Sequence, residues 1–188
     1  MNRHVDMEKN RFRKIFIQKI KDFYDNERNL LDDDLGERAL VFRIGGRLYN
    51  AFDKCSVHCE YNKAHRADET TSKSIPGKIH TYPDLIIVSD IEKGSDANKI
   101  VVEVKKAGNR NDFKNDIDKL HWFTDPTYRY RYDTGYHLVL GKSFFILCHY
   151  ENGKLFFVEK YEKPSWKSSR VENIEYSNAK ELINAFHE

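Results

Sequence analysis

The stretch Tyr82-Pro83-Asp84-Leu85-Ile86-Ile87-Val88, followed after a polar connection by Ile100-Val101-Val102-Glu103-Val104-Lys105-Lys106, decides how this chain folds. Both are apolar runs of strand length. Alternate side chains of a strand share a face. Glu103 and Lys105 therefore lie on one face, and Val102 and Val104 on the other. If the two strands pair as a hairpin, Asp84, at the mouth of the first, joins the same patch. Two carboxylates and an amine on one patch suit the holding of a divalent metal and the activation of water beside a phosphate. The plainer alternative is a Glu103–Lys105 ion pair at a sheet end, because structural ion pairs also gather charges. Against it stands the setting: both charges interrupt a run apolar enough for a central strand. Burying either is costly unless it is paired or coordinated.

Pro83-Asp84 together with Glu103-Val104-Lys105 resembles the PD-(D/E)XK nuclease superfamily, over about residues 34–141. The chain looks closest to small bacterial members with a Glu-Arg pair (Glu37-Arg38) opening the first helix and a Glu-Tyr-Asn stretch (Glu60-Tyr61-Asn62) before the Pro-Asp. The resemblance implies an α/β fold (α+β, mixed sheet) with a restriction-endonuclease-like αβββαβ core. An N-terminal helix at 7–31 and a C-terminal hairpin and helix at 142–188 would be additions to a single domain, 1–188. It implies a metal-dependent nuclease that hydrolyses phosphodiester bonds, on DNA before RNA. Asp84 and Glu103 would bind Mg²⁺ or Mn²⁺, with the Val104 carbonyl a further oxygen ligand and Glu37 completing the carboxylate set. Lys105 would orient the attacking water or stabilise developing charge. Many nucleases of this fold cut both strands by dimerising, which leaves a homodimer or a partner protein open, but no stretch of the sequence marks an interface. The alternative is a non-catalytic nucleic-acid-binding or protein-interaction module, or a subunit of a repair or defence complex, since fold does not fix function. No Gly-rich phosphate loop supports a nucleotide phosphohydrolase.

Composition bounds these readings without choosing among them. At 188 residues the chain suits one domain with a sizeable core. A 39% apolar content argues against disorder. No run approaches the ~20 apolar residues that cross a bilayer, and the first residues lack the apolar core of a signal peptide. A cytoplasmic protein is expected. The net charge of +2 neither suggests nor excludes nucleic acid, because a local patch suffices to meet phosphates. Cys55, Cys59 and Cys148 form no disulfide framework. Cys55, His58 and Cys59 lack a second pair at zinc-ligand spacing, so packed, reduced thiols are expected.

Around the central strands, apolar spacing predicts an amphipathic helix at 7–24 and a first core helix at about 35–52. On the latter, Glu37 falls three residues before Leu40 on the buried stripe. Two readings stay open for it: aimed at the core-side site, or folded back in a capping box from Asp34. Asp32-Asp33-Asp34 reads as a helix N-terminus. Arg38 and Arg43 are candidates for phosphate contact or for pairing with acids. Gly45-Gly46 inside the helix costs about 1 kcal/mol per glycine, which a close neighbour there would explain. A strand is expected at 56–62, with Val57, Cys59 and Tyr61 on one face and Glu60 supporting the site or pairing with an arginine. The loop 63–80 is locally basic (Lys63, His65, Arg66, Lys73, Lys78), suited to a phosphate backbone. A second helix is expected at 112–123. On it Asp116 and Lys119 read as a surface pair, although Lys119 is also a substrate candidate. Tyr128-Arg129-Tyr130-Arg131-Tyr132 either stacks bases or packs its tyrosines inward. A strand at 136–140 and an Asn152-Gly153 hairpin come next, and Ser177 caps a last short helix.

Overall fold

A computed structural model describes residues 3–61, 73–78, 81–109 and 113–172. The helices are α1 (Arg3–Glu27), the single turn α2 (Asn29–Asp32), α3 (Glu37–Leu48) and α4 (Phe113–Thr124). The strands are β1 (Cys55–Cys59), β2 (Leu85–Ser89), β3 (Asn98–Lys106), β4 (Thr134–Leu140), β5 (Phe144–Glu151), β6 (Lys154–Glu162) and β7 (Lys167–Glu172). They form one mixed sheet in the order β1 to β7. Among the described residues only β3 and β4 pair in parallel, with α4 in the crossover; every other pairing there is antiparallel.

Every residue of β4, and all but the last of β3, is buried, because helices cover both faces of the sheet. Phe16, Ile20 and Phe23 of α1 and Leu40 and Ile44 of α3 pack with Leu85, Ile87, Val102 and Val104 on one side. Phe113, Ile117 and Leu120 of α4 pack with Ile86, Val88 and Val101 on the other. Each such side chain, fully buried, contributes about 1.5–3 kcal/mol relative to exposure. Tyr24 ties α1 down: its hydroxyl donates to the carbonyl of Gly141 at 2.7 Å. Among the described residues no helix is long and apolar enough to cross a membrane.

The first core helix is shorter than its apolar spacing predicts. It starts at Glu37, behind an extended Gly36 that gives no side-chain cap, and the chain leaves it through Asn50 at φ +59°. The Asp34 capping box does not form; Asp34 pairs instead with Lys106. The expected close neighbour exists for one glycine of the pair. A Cβ on Gly45 would stand 2.6 Å from Cys59 Sγ and 3.1 Å from Leu85 Cδ2, whereas at Gly46 nothing lies within 4 Å. β1 stops at Cys59 because Glu60 takes a left-handed φ of +48°. That turn breaks the alternation: Val57 and Cys59 pack with the α1–α3 side, but Tyr61 packs with the α4 side. The Asn152-Gly153 turn has φ of +50° and +71°, the positive pair a tight two-residue hairpin requires. The apolar pattern does not predict β7. Lys-Ser-Ser-Arg-Val-Glu carries no apolar run, and a polar edge strand needs none. The helix expected after Ser177 lies outside the described residues, as do Asn62, Lys63, His65 and Arg66.

Candidate functional site

β3 runs on past β2. The last paired position at this end is Leu85 opposite Val102, so the next antiparallel step sets Asp84 opposite Glu103. Beyond it β3 has lost a strand partner on this side, and carboxylates take over. Asp84 Oδ2 accepts the Val104 N–H at 2.7 Å, and Glu37 Oε1 accepts the Lys106 N–H at 3.1 Å. The N–H and C=O of one strand residue point to the same neighbour. The Val104 carbonyl therefore also faces the side that Asp84 occupies. Asp84 is fixed in turn by its own carbonyl, which accepts the Glu60 N–H at 2.9 Å.

α4 lies over the face that carries Glu103 and Lys105. Asp116 follows Phe113 by three residues and precedes Leu120 by four, so it belongs to the helix's buried stripe. It is 4% exposed and Lys119 is 8% exposed. The surface pair expected from the sequence is thus a buried one, turned inward by its place on the stripe. An alternating chain of charge results. Glu103 binds Lys119; Lys119 lies 3.3 Å from Asp116; Asp116 lies 3.2 Å from Lys105; and Lys105 lies 3.5 Å from Glu37. Glu37 also accepts from Asn109 Nδ2 at 2.8 Å. It reaches across to the end of β3 rather than folding back on its own helix. His137, opposite Glu103 in the β3–β4 register, stands 3.8 Å behind Asp116.

Glu37, Asp84, Glu103, Lys105, Asp116 and Lys119 line one cavity of about 270 Å³. Five carboxylates (Glu37, Glu60, Asp84, Glu103, Asp116) and three cations (Arg38, Lys105, Lys119) face it, a surplus of two negative charges. Burial pushes the Glu103 carboxyl well above its ordinary range; Lys119 opposes this, while Asp84 and Asp116 add to it. Burial raises Asp84 too, against the Val104 hydrogen bond. Burial works to neutralise Lys105, but Asp116 and Glu37 outweigh it and hold the ammonium charged. Lys119 is likewise raised, with Glu103 and Asp116 overcoming its burial. Glu103 Oε2 takes Lys119, whereas Oε1 is buried with no hydrogen-bond partner among the described residues. Among those residues no three His, Cys, Asp or Glu side chains are arranged as a metal cage.

The other candidates divide. Arg38, 80% exposed at the cavity's mouth, pairs with Glu60 at 2.7 Å, so Glu60 takes the arginine-pairing role of its two readings. Arg43 is not at the cavity. It pairs with Glu27 at 2.9 Å and braces α3 against α1. Lys73 is not available to a phosphate backbone: it is fully buried, donating to the Tyr61 carbonyl at 3.2 Å, and burial pulls its ammonium down to about 7. Tyr130 and Tyr132 pack inward, and Arg129 and Arg131 bond Ser74 and Ser95, so this segment is core rather than a base-stacking platform. Sequence reasoning missed Asp116, Asn109 and His137. For Asp116 the signal was there, in its spacing from Phe113 and Leu120. No known protein family, curated protein or solved structure matches the chain.

Proposed function

We propose that this cavity is the active site of a metal-dependent nuclease of the restriction-endonuclease-like kind, hydrolysing phosphodiester bonds in DNA before RNA. The observation that carries the reading is Asp84 set beside Glu103 just past the end of β2, in a cavity whose formal surplus of two negative charges one divalent cation would cancel. The element order supports it: α3, three antiparallel strands β1–β2–β3, α4, then β4 parallel to β3. That is the αβββαβ succession which the Pro83-Asp84 and Glu103-Val104-Lys105 resemblance implies.

The donor set fits a hard cation. Asp84, Glu103 with its unpartnered Oε1, and the Val104 carbonyl offer oxygen alone. Mg²⁺ keeps several waters and is held through one or two carboxylates, so no full protein cage is needed. Mn²⁺ suits the same oxygens. When bound, the cation polarises the phosphoryl oxygen and lowers the pKa of a coordinated water. Lys105, kept charged and aimed by Asp116 and Glu37, would orient an attacking water and stabilise charge developing on the phosphorus oxygens. Glu37 acts by placing Lys105; its oxygens take up Lys105, the Lys106 N–H and Asn109. Arg38 at the mouth supplies a cation for the phosphate backbone.

The competing reading is a non-catalytic nucleic-acid-binding or interaction module. The Glu103–Lys119 pair favours it, since a purely structural network would neutralise its buried acid in this way. The test is incubation of the purified protein with supercoiled plasmid and labelled single strands in Mg²⁺, Mn²⁺ or EDTA, beside Asp84→Asn. Cleavage that needs metal and disappears in the variant supports the nuclease. Absence of both cleavage and calorimetric Mn²⁺ binding overturns it in favour of the module.

A further inference from the structure

Granted the nuclease reading, on which the role of Lys119 depends, a cation must come to Glu103. A cation is already there. Lys119 Nζ sits on Glu103 Oε2, inside a wall that is otherwise buried, and Glu103 itself is fully inaccessible. The same ammonium has a second carboxylate in reach, Asp116 Oδ1 at 3.3 Å. Asp116 Oδ2 in turn stands 3.2 Å from the Lys105 ammonium. Lys119 thus stands between two acids, one of which is a proposed metal ligand and the other not.

We infer that Lys119 is a placeholder for the divalent cation, and that its competition for Glu103 sets the affinity of the site for metal. In the metal-free protein the ammonium supplies the positive charge without which Asp84, Glu103 and Asp116 would repel one another at close quarters. A buried carboxylate without a partner is strongly destabilising, so the site needs such a group before metal arrives. When the divalent cation takes Glu103, the ammonium is repelled from it and retreats to Asp116. Asp116 is therefore a positioning residue with two duties: it receives Lys119 and keeps Lys105 in place. Loading the site and moving Lys119 become one event.

The test is titration of MnCl₂ alone into the full chain by calorimetry at pH 8.5, where protons compete least for the carboxylates. Three proteins are compared: wild type, Lys119→Met, and the double variant Lys119→Met/Asp116→Asn. The double variant removes one charge of each sign, so the cavity's surplus of two is unchanged. Tighter binding in it reports the lost competitor rather than a more negative field. It also leaves no buried acid newly facing Glu103, so it guards against a single variant that fails to fold. The expected result is Mn²⁺ binding tightened on the order of tenfold in both variants, the usual size of a coupling between two ligands of one protein. Wild-type binding with equal or weaker binding in the folded variants overturns the placeholder and leaves the metal site standing. No binding in any of the three overturns the metal reading and the placeholder with it.

Discussion

Asp84 carries two roles that different substitutions separate. Its carboxylate caps the Val104 N–H at 2.7 Å, and it also stands in a crowd of acids with Glu103 and Asp116. Asp84→Ala removes the cap and leaves a partly buried donor unmet, which costs about 1–3 kcal/mol. Asp84→Asn keeps an acceptor oxygen for Val104 while removing the charge. The alanine variant is therefore expected to be less stable than the asparagine variant by about 1–3 kcal/mol at pH 7, although both relieve the same repulsion. The pH dependence comes from the raised carboxyl. A carboxyl raised by burial holds its proton more tightly in the folded protein than in the unfolded one. Its contribution is largest below the ordinary aspartate pKa, and falls as the pH climbs through the raised folded value. Asp84→Asn removes that fall, so its advantage over wild type grows with pH across this window. Urea unfolding of the three metal-free proteins at several pH values measures both effects. Equal stability of the alanine and asparagine variants would refute the capping argument. An asparagine variant whose gain over wild type shrinks with rising pH would refute the electrostatic one. Both variants lose metal-dependent cleavage in the nuclease reading, so activity alone cannot separate the two roles.

Lys105→Gln is expected to lower kcat by about 10²–10³-fold, the usual loss when one preorganised charge-stabilising donor is removed, with Mn²⁺ bound at least as tightly as in wild type because the cavity loses a positive charge; single-turnover cleavage and calorimetry check the two halves. Gly45→Ala should destabilise by about 1–3 kcal/mol through overpacking against Cys59 and Leu85. Gly46→Ala, with open space, should stabilise by about 1 kcal/mol through helix propensity; urea midpoints of the pair decide. Burial holds the His149 imidazole below its ordinary pKa despite Glu151, so the folded protein resists a proton that the unfolded chain accepts. Stability should then be lost as pH falls below about 6.5, the unfolded value. His149→Gln should flatten that loss, as read by urea unfolding between pH 7.5 and about 5.

The central strands were legible because their signal is local. Ile86-Ile87-Val88 and Ile100-Val101-Val102 are buried on both faces, and such strands read as continuous apolar runs. The placing of Asp84, Glu103 and Lys105 on one patch came from a two-residue period and a single hairpin assumption, and the register supplies that hairpin. What the sequence concealed was contact across distance. Lys119 and Asp116 look like an ordinary i,i+3 surface pair until the helix is docked, and only docking makes their charges face Glu103 and Lys105. Lys73 looks like a loop cation until Tyr61 and Tyr132 close over it. The alternation puts Tyr61 on the wrong face because nothing in Cys59-Glu60-Tyr61 announces a left-handed φ at Glu60. β7 escapes for the opposite reason: pairing to β6 comes from backbone hydrogen bonds, and its side chains carry no burial pattern to read.

The structural and catalytic readings of the acids are two uses of one geometry. β3 outruns β2, so Val104 and Lys106 present backbone groups with no neighbouring strand on the β2 side. A free N–H asks for an oxygen, and Asp84 and Glu37 supply carboxylates. Carboxylates brought there for capping necessarily stand beside the outward Val104 carbonyl and, one register step away, beside Glu103. The edge that needs acids to satisfy its N–H groups thereby collects oxygen donors and surplus negative charge at a single point. Capping alone would be served by neutral Asn or Ser at less electrostatic cost, since either offers the N–H an oxygen. It gives no reason to bury Glu103, whose Oε1 bonds nothing among the described residues and whose carboxyl is pushed well above its ordinary range. In the nuclease reading, a cost of that kind, carried where two strands and a helix converge, is what a cation site asks of its acids.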